Sequence, residues 1–370
     1  MAFYDELKDY DWERLEESIY SCTEADVERA LMSQILGLQG FISLLSPAAE
    51  TFLEELAQRA HRLTEQRFGR VISLFAPLYL SNVCTNSCIY CGFNVRNPVE
   101  RLTLTVDQAA AEGKHLHDKG FRHLLLVSGE SPGVVTLEYL LSVVARLRPW
   151  FASIVIEIYP METAAYRKLI DQGVDGLVIY QETYNDKRYA EVHLAGKKRD
   201  YHWRLGTPER GGKAGFRRLG IGALLGLSDW RLEGFFLALH ARYLLRNFWK
   251  SHLTISFPRL RPAAGGYEPP FSVSDSQMVQ LLTALRLLLP DAGLILSTRE
   301  SPNLRDHLIP LGITSMSAGS RTDPGGYAHD AEAEAQFEIA DHRSPHAVAD
   351  VIRQKGYEPV WKDWDVAFLQ

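Results

Sequence analysis

Ile72-Ser-Leu-Phe-Ala-Pro-Leu-Tyr-Leu80 is a nearly unbroken apolar run, and it passes through Ser81-Asn-Val83 into Cys84-Thr-Asn-Ser-Cys88-Ile-Tyr-Cys91. A run of that length and composition reads as a strand buried on both faces. Seven shorter apolar runs follow: His123–Val127, Ser153–Tyr159, Gly176–Tyr180, Leu219–Leu224, Leu253–Phe257, Leu294–Ser297 and Ile313–Ser317. Amphipathic stretches separate them, such as Val106–Lys119 behind a Thr105-Val-Asp-Gln108 capping box, and Ser274–Leu289. Eight strand–helix repeats predict an α/β fold, a closed parallel (β/α)8 barrel of the TIM type. An open doubly wound sheet with a separate helical domain is the alternative.

The flanks read differently. Residues 1–70 predict a helical extension: Thr23-Glu-Ala-Asp26 fits a capping box, and Ser46-Pro47 sets a cap and a first-turn proline before an amphipathic run to Phe68. The barrel is expected over 71–320. Residues 321–370 form a short C-terminal extension packed on the barrel. Within it, the stretch from Asp323 to Arg343 is rich in Gly, Asp, Glu, His and Ala and reads as exposed, while Trp361 and Trp364 are expected to pack back on the body.

Composition narrows the function classes. The chain has 370 residues, 46% hydrophobic and 23% charged, with a formal net charge of −6 and no basic stripe, so nucleic-acid binding is not expected. The longest uncharged stretch, Val71 to Val95, contains Pro77, Asn82, Asn86 and Asn94 and does not suit hydrocarbon, so no membrane association is expected. Met1 to Tyr20 is acidic and lacks an apolar signal core, which predicts a cytoplasmic protein. Four cysteines are too few to staple a chain this long, yet three of them fall within eight positions. Cys22 stands apart and reads as a packed free thiol.

The spacing Cys-x3-Cys-x2-Cys in one tight loop suits three irons of a cubane cluster, because thiolate is the usual ligand of iron–sulfur centres. Without a fourth protein ligand, one iron keeps an open position for a small molecule. A structural zinc knot is the competing reading, but zinc prefers a closed set of four ligands and the chain offers no second cysteine pair.

With Tyr90 ahead of the third cysteine, the motif resembles that of the radical S-adenosylmethionine superfamily. Its surroundings narrow the resemblance. Pro77-Leu-Tyr-Leu-Ser-Asn82, Gly92-Phe93, Val127-Ser-Gly-Glu130, Tyr180-Gln-Glu-Thr-Tyr184, Phe257-Pro-Arg-Leu-Arg-Pro262, Leu296-Ser-Thr-Arg-Glu-Ser-Pro302 and the Trp361-Lys-Asp-Trp364 tail resemble the 2-iminoacetate synthase family, the tyrosine lyases of thiamine thiazole biosynthesis. The likeness spans nearly the whole chain. It implies a barrel of the radical S-adenosylmethionine type, a 4Fe-4S cluster held by Cys84, Cys88 and Cys91, and S-adenosylmethionine on the open iron.

Carried over residue by residue, Gly129 and Glu130 match the element that meets the methionine amino group, and Phe93 the position bordering adenine. Glu157 is expected at the ribose hydroxyls, with Gln181 and Glu182 at the same cofactor. Tyr79, Arg299 and Ser317 match the residues that hold the substrate, and Arg299 offers a bidentate fork for a carboxylate. Its competing partner is the neighbouring Glu300. Arg259 and Arg261 offer further positive charge or surface ion pairs.

The implied reaction cleaves L-tyrosine at Cα–Cβ, through hydrogen abstraction at its amino nitrogen, to 2-iminoacetate and 4-methylphenol. Methionine and 5′-deoxyadenosine are the co-products. The implied partners are thiazole synthase, which receives the fragile imine, and a reductant such as flavodoxin or ferredoxin. No cysteine follows Cys91, which removes the two-cluster hydrogenase-maturation lyases and biotin synthase. Cysteine count leaves a tryptophan lyase or a deazaflavin-type synthase open, and all site residues are expected at the carboxyl ends of the strands.

Overall fold

The computed structural model describes residues 2–329 and 333–362. Eight parallel strands follow one another around a ring: β1 (Val71–Ser81), β2 (His123–Ser128), β3 (Ser153–Glu157), β4 (Gly176–Glu182), β5 (Arg218–Ala223), β6 (His252–Ser256), β7 (Gly293–Leu296) and β8 (Ser315–Ser317). β1 pairs with β8 on one edge, Phe75 opposite Ser317, and with β2 on the other, Leu78 opposite Leu126, so the sheet closes. The barrel expected from the apolar runs is the one found.

Strand alternation explains the apolar composition. Leu74, Leu78, Leu126, Ile156, Ile221 and Leu294 point outward and are fully buried under the helices. The intervening positions, among them Phe75, Val155, Val178 and Thr254, line a lumen cavity of about 260 Å³. Both faces are thus covered, as a parallel sheet requires.

The capping boxes at Thr23 and Thr105 form as expected, and Ser274 caps its helix with Gln277. Ser46 behaves differently. Its hydroxyl donates to the Ser43 carbonyl at 2.7 Å, so Pro47–Phe52 forms a 3-10 turn and the α-helix starts only at Leu53. The N-terminal helices lie on the barrel's outer helices, where the buried Gln280 amide donates to the Leu44 and Ser46 carbonyls at 2.9 and 2.8 Å.

A ninth strand, β9 (Glu358–Val360), pairs with the first residues of β1 and has no counterpart among the expected runs. Trp361 packs edge-on against Phe121; Trp364 lies outside the described residues. Among those residues no helix is long and apolar enough to cross a membrane.

The expectation that the stretch from Asp323 to Arg343 is exposed is corrected. Its described part straps the carboxyl end of the barrel. The amides of Tyr327 and Ala328 donate to the buried Glu112 carboxylate at 2.9 and 2.8 Å, and the Ala340 amide donates to the Thr298 carbonyl at 2.9 Å. Asp341 is fully buried against Arg305. Polar composition suggested solvent, but these groups are satisfied by the barrel's own helices and loops.

Candidate active site

β1 delivers the chain to the mouth, and a single arginine shapes the cysteine loop that follows. The Arg101 guanidinium donates to the carbonyls of Asn82, Phe93, Asn94 and Asn97 at 2.6–3.2 Å, drawing the two ends of the loop together. Asn97 adds bonds to the Cys91 and Gly92 carbonyls. Inside the loop the Asn86 amide lies 3.5 Å from Cys84 Sγ. Cys88 is buried, and Cys84 and Cys91 are partly exposed. Burial pushes the Cys91 thiol up to about 11 and the Cys88 thiol further, so a metal must displace protons to bind.

Tyr90 is fixed from behind. Its hydroxyl lies 2.8 Å from His193 Nε2, while His193 Nδ1 faces the Tyr189 carbonyl at 2.8 Å. Burial lowers the His193 pKa to about 3, so the ring is neutral, Nδ1–H donates to the carbonyl and Nε2 accepts from the tyrosine.

β2 ends against the same loop. A Cβ on Gly129 would stand 2.4 Å from the Val83 carbonyl and 3.2 Å from Cys84 Cβ, so only glycine allows this approach. Glu130 follows, its carboxylate bonded to Asn86 Nδ2 at 2.7 Å and its carbonyl accepting from the Thr85 amide at 2.9 Å. Phe93 is buried edge-on to Tyr79, with ring centroids 5.9 Å apart.

The β3 and β4 residues separate into distinct roles. Glu157 faces the lumen, and its pKa is pushed up to about 7 by burial and then by the nearby charge of Glu182, against the pull of Arg299. Gln181 is buried with neither amide atom bonded. Such a group costs free energy until a ligand satisfies it. Glu182, expected as a cofactor acceptor, is spent elsewhere: its carboxylate pairs with Lys198 at 2.6 Å and Arg204 at 3.2 Å. Burial favours its neutral form, but Lys198 and Arg204 outweigh burial and hold its pKa below the usual value. Glu182 also carries a φ of 72°, which tightens the end of β4.

Tyr79 lies near the end of β1, Arg299 just after β7 and Ser317 at the end of β8. The Tyr79 hydroxyl donates to Gln336 Oε1 at 2.7 Å, and Ser317 Oγ accepts from the Thr298 amide at 3.1 Å. Arg299 lies over the Phe337 ring, 3.3 Å from its centroid, and has no carboxylate within ion-pair distance among the described residues. Glu300 is not its partner, because Glu300 pairs with Arg259, whose Nε is 2.9 Å away. Arg259 also reaches Asp275 at 2.8 Å, so it is the structural arginine of the two.

Sequence reasoning missed several of these contacts. Asn86 lies within the motif itself and was legible as a loop-shaping polar residue. Lys198 and Arg204 sit in a charged stretch that reads as solvated. Gln336 and Phe337 carried no signal, since their sequence neighbours resemble a surface loop.

The thiol set fits a cluster by its chemistry: Cys84, Cys88 and Cys91 lie free on one short loop, and a cubane takes one thiolate per iron. Gly129 lets β2 end close against the cysteine loop, and the orphaned Gln181 amide at the end of β4 is a buried polar group still open to a second ligand.

Comparison with known proteins agrees. Residues 78–239 match the radical SAM superfamily, and residues 256–358 match the biotin and thiamin synthesis associated domain. The 2-iminoacetate synthase of Escherichia coli (strain K12) is 47% identical over 365 residues, covering 98% of this chain and 97% of that protein. The chain belongs to the 2-iminoacetate synthase family. The Salmonella typhimurium member is 46% identical over the same length. Among solved structures, the FeFe-hydrogenase maturase HydG from Carboxydothermus hydrogenoformans superposes with a TM-score of 0.85 at 35% identity, covering 97% of this chain and 82% of that one. Membership in the 2-iminoacetate synthase family carries with it a 4Fe-4S cluster and S-adenosylmethionine as cofactors, and carbon–carbon lyase chemistry.

Proposed function

We propose that this chain cleaves the Cα–Cβ bond of L-tyrosine to 2-iminoacetate and 4-methylphenol, supplying the carbon–nitrogen unit of the thiamine thiazole. The observation that carries the reading is the 47% identity to a 2-iminoacetate synthase across 98% of the chain. Cys84, Cys88 and Cys91 would hold the cluster, which would supply the electron for cleavage of S-adenosylmethionine to methionine and the hydrogen-abstracting 5′-deoxyadenosyl group.

The chain's own residues do the rest. Glu130 and the Gly129 backbone accept from the methionine ammonium, Phe93 borders the adenine, and Glu157 with Gln181 meets the ribose. Glu182 acts through Lys198 and Arg204, holding the end of β4 in place. Arg299 forks onto the tyrosine carboxylate, which gives a partly buried guanidinium its missing counter-ion. Tyr79 and Ser317 orient the amino acid beneath the strap.

Loss of the amino hydrogen and homolysis of Cα–Cβ leave a 4-hydroxybenzyl radical. One further electron and one proton convert it to 4-methylphenol, so each turnover consumes two electrons. A reductant such as flavodoxin or ferredoxin supplies them. The imine hydrolyses readily, so hand-over to thiazole synthase follows from its chemistry, and a cytoplasmic location suits a cluster of this kind.

Anaerobic incubation of the reconstituted protein with S-adenosylmethionine, dithionite and either tyrosine or tryptophan tests the reading. Release of 4-methylphenol with tyrosine is expected. A product from tryptophan alone would replace the substrate assignment.

A further inference from the structure

Two exposed apolar side chains flank the cysteine loop from opposite sides. The Val95 amide donates to the Asn86 carbonyl at 2.9 Å, and the Leu194 amide donates to the next carbonyl, that of Ser87, also at 2.9 Å. Val95 is 49% exposed and Leu194 38%. Between them the Asn86 amide touches Cys84 Sγ, and Thr85 is exposed, so the cysteine loop itself reaches the surface here.

A basic rim surrounds this pair. Arg96 follows Val95, and Lys197 and Arg199 follow Leu194; Lys187 lies on the helix Asp186–Val192 just before it. All four are exposed, and none has a carboxylate within ion-pair distance among the described residues. The rim is tied to the cysteine loop, because the Lys198 amide donates to Asn86 Oδ1 at 3.0 Å and a Cβ on Gly196 would collide with that side chain. The acids on the same elements are committed or few: Glu191 pairs with Arg188, Asp200 caps the helix at Tyr201, and Asp186 stands at the helix start. In a chain of net charge −6 this is a local reversal of sign.

We propose that this surface docks an acidic one-electron donor protein. An apolar centre within an unpaired charged rim is the anatomy of a transient, electrostatically steered interface. Its hydrogen bonds to the cysteine loop place a docked donor against the segment that carries the three thiols. At each encounter the donor loses one electron and the bound cluster gains it, with no bond made or broken. The inference rests on the proposed function, from which it takes the demand for two electrons per turnover.

The test uses the cluster-loaded full chain and a purified oxidised flavodoxin as probe, with binding measured by isothermal titration at low and moderate salt. The Arg96→Glu/Arg199→Glu double variant is expected to bind at least tenfold more weakly, and Leu194→Asp to weaken binding as well. Wild-type affinity is expected to fall with salt. Dithionite-driven 4-methylphenol formation should stay unchanged in both variants, which shows them folded and loaded, while formation driven by pre-reduced flavodoxin in place of dithionite drops. Flavodoxin affinity that is the same in wild type and both variants overturns the proposal. So does loss of thiazole synthase binding with flavodoxin binding intact, which would assign the surface to that partner. A wild-type chain that binds flavodoxin here but yields no 4-methylphenol supports the docking surface and contradicts only the tyrosine reading.

Discussion

Arg299 is a guanidinium at the barrel mouth with an aromatic ring for a neighbour and no carboxylate paired to it among the described residues. A substrate carboxylate answers both facts. Arg299→Ala is expected to raise the tyrosine KM roughly 10- to 100-fold, the worth of a charge-assisted bidentate pair of about 1.5–3 kcal/mol, with S-adenosylmethionine affinity unchanged. An unchanged KM in steady-state kinetics would remove Arg299 from the substrate site.

The three thiols carry a plainer expectation. Replacing any of Cys84, Cys88 or Cys91 by Ala should abolish the cluster's visible absorption after reconstitution and all turnover. Glu157 gives a pH signature. The folded chain keeps its proton to about 7, while the unfolded chain releases it near 4.5, so rising pH across that window destabilises the fold. In the absence of cofactors, Glu157→Gln should therefore gain thermal stability over the parent between those pH values and hold the gain above about 7. A difference in Tm that is flat with pH would contradict the raised pKa.

At the scale of elements, the strap and the cysteine loop lock at one glycine. A Cβ on Gly92 would stand 2.3 Å from the Ala335 carbonyl, and the Gly92 amide donates to the Gln336 carbonyl at 3.0 Å. Gly92→Ala is expected to cost about 1–3 kcal/mol through overpacking and to speed hydrogen exchange at the residue 92 amide. Unaltered exchange there would show the strap to be independent of the loop. This contact was illegible in the sequence, because a glycine beside a motif reads as a turn and Gln336 reads as surface. The strands were legible for the opposite reason: burial on both faces forces a local composition, as in Ile72–Leu80, that needs no knowledge of the partner. β9 escaped notice because Glu358-Pro-Val360 is short and edge-paired.

For the whole molecule, the C-terminal extension is held to the barrel by charge in its interior. Arg305 and Asp341 are both fully buried as an ion pair, and Arg343 bridges Asp341 to Asp306 at 2.7 and 2.9 Å. Arg305→Met is expected to destabilise the protein by about 1–3 kcal/mol in urea unfolding, since Asp341 keeps Arg343 but loses its buried partner, and the Ser317 carbonyl loses its donor. The double change with Asp341→Asn should recover part of the loss. The order of the barrel could be read from eight apolar runs, and a candidate site at its mouth was suggested by three cysteines. The strap and its anchors, Glu112 and Arg305, could not, because their partners lie far away in sequence and only the closed fold brings them together.

The central claim concerns one bond, and isotope tracing addresses it most directly. With uniformly carbon-13-labelled tyrosine under anaerobic reducing conditions, the account predicts two labelled products in equal amounts. These are the seven-carbon 4-methylphenol and a two-carbon acid, glyoxylate from hydrolysis of 2-iminoacetate. Each should match the 5′-deoxyadenosine formed. Labelled fragments of any other carbon count, or 5′-deoxyadenosine without 4-methylphenol, would contradict cleavage between Cα and Cβ.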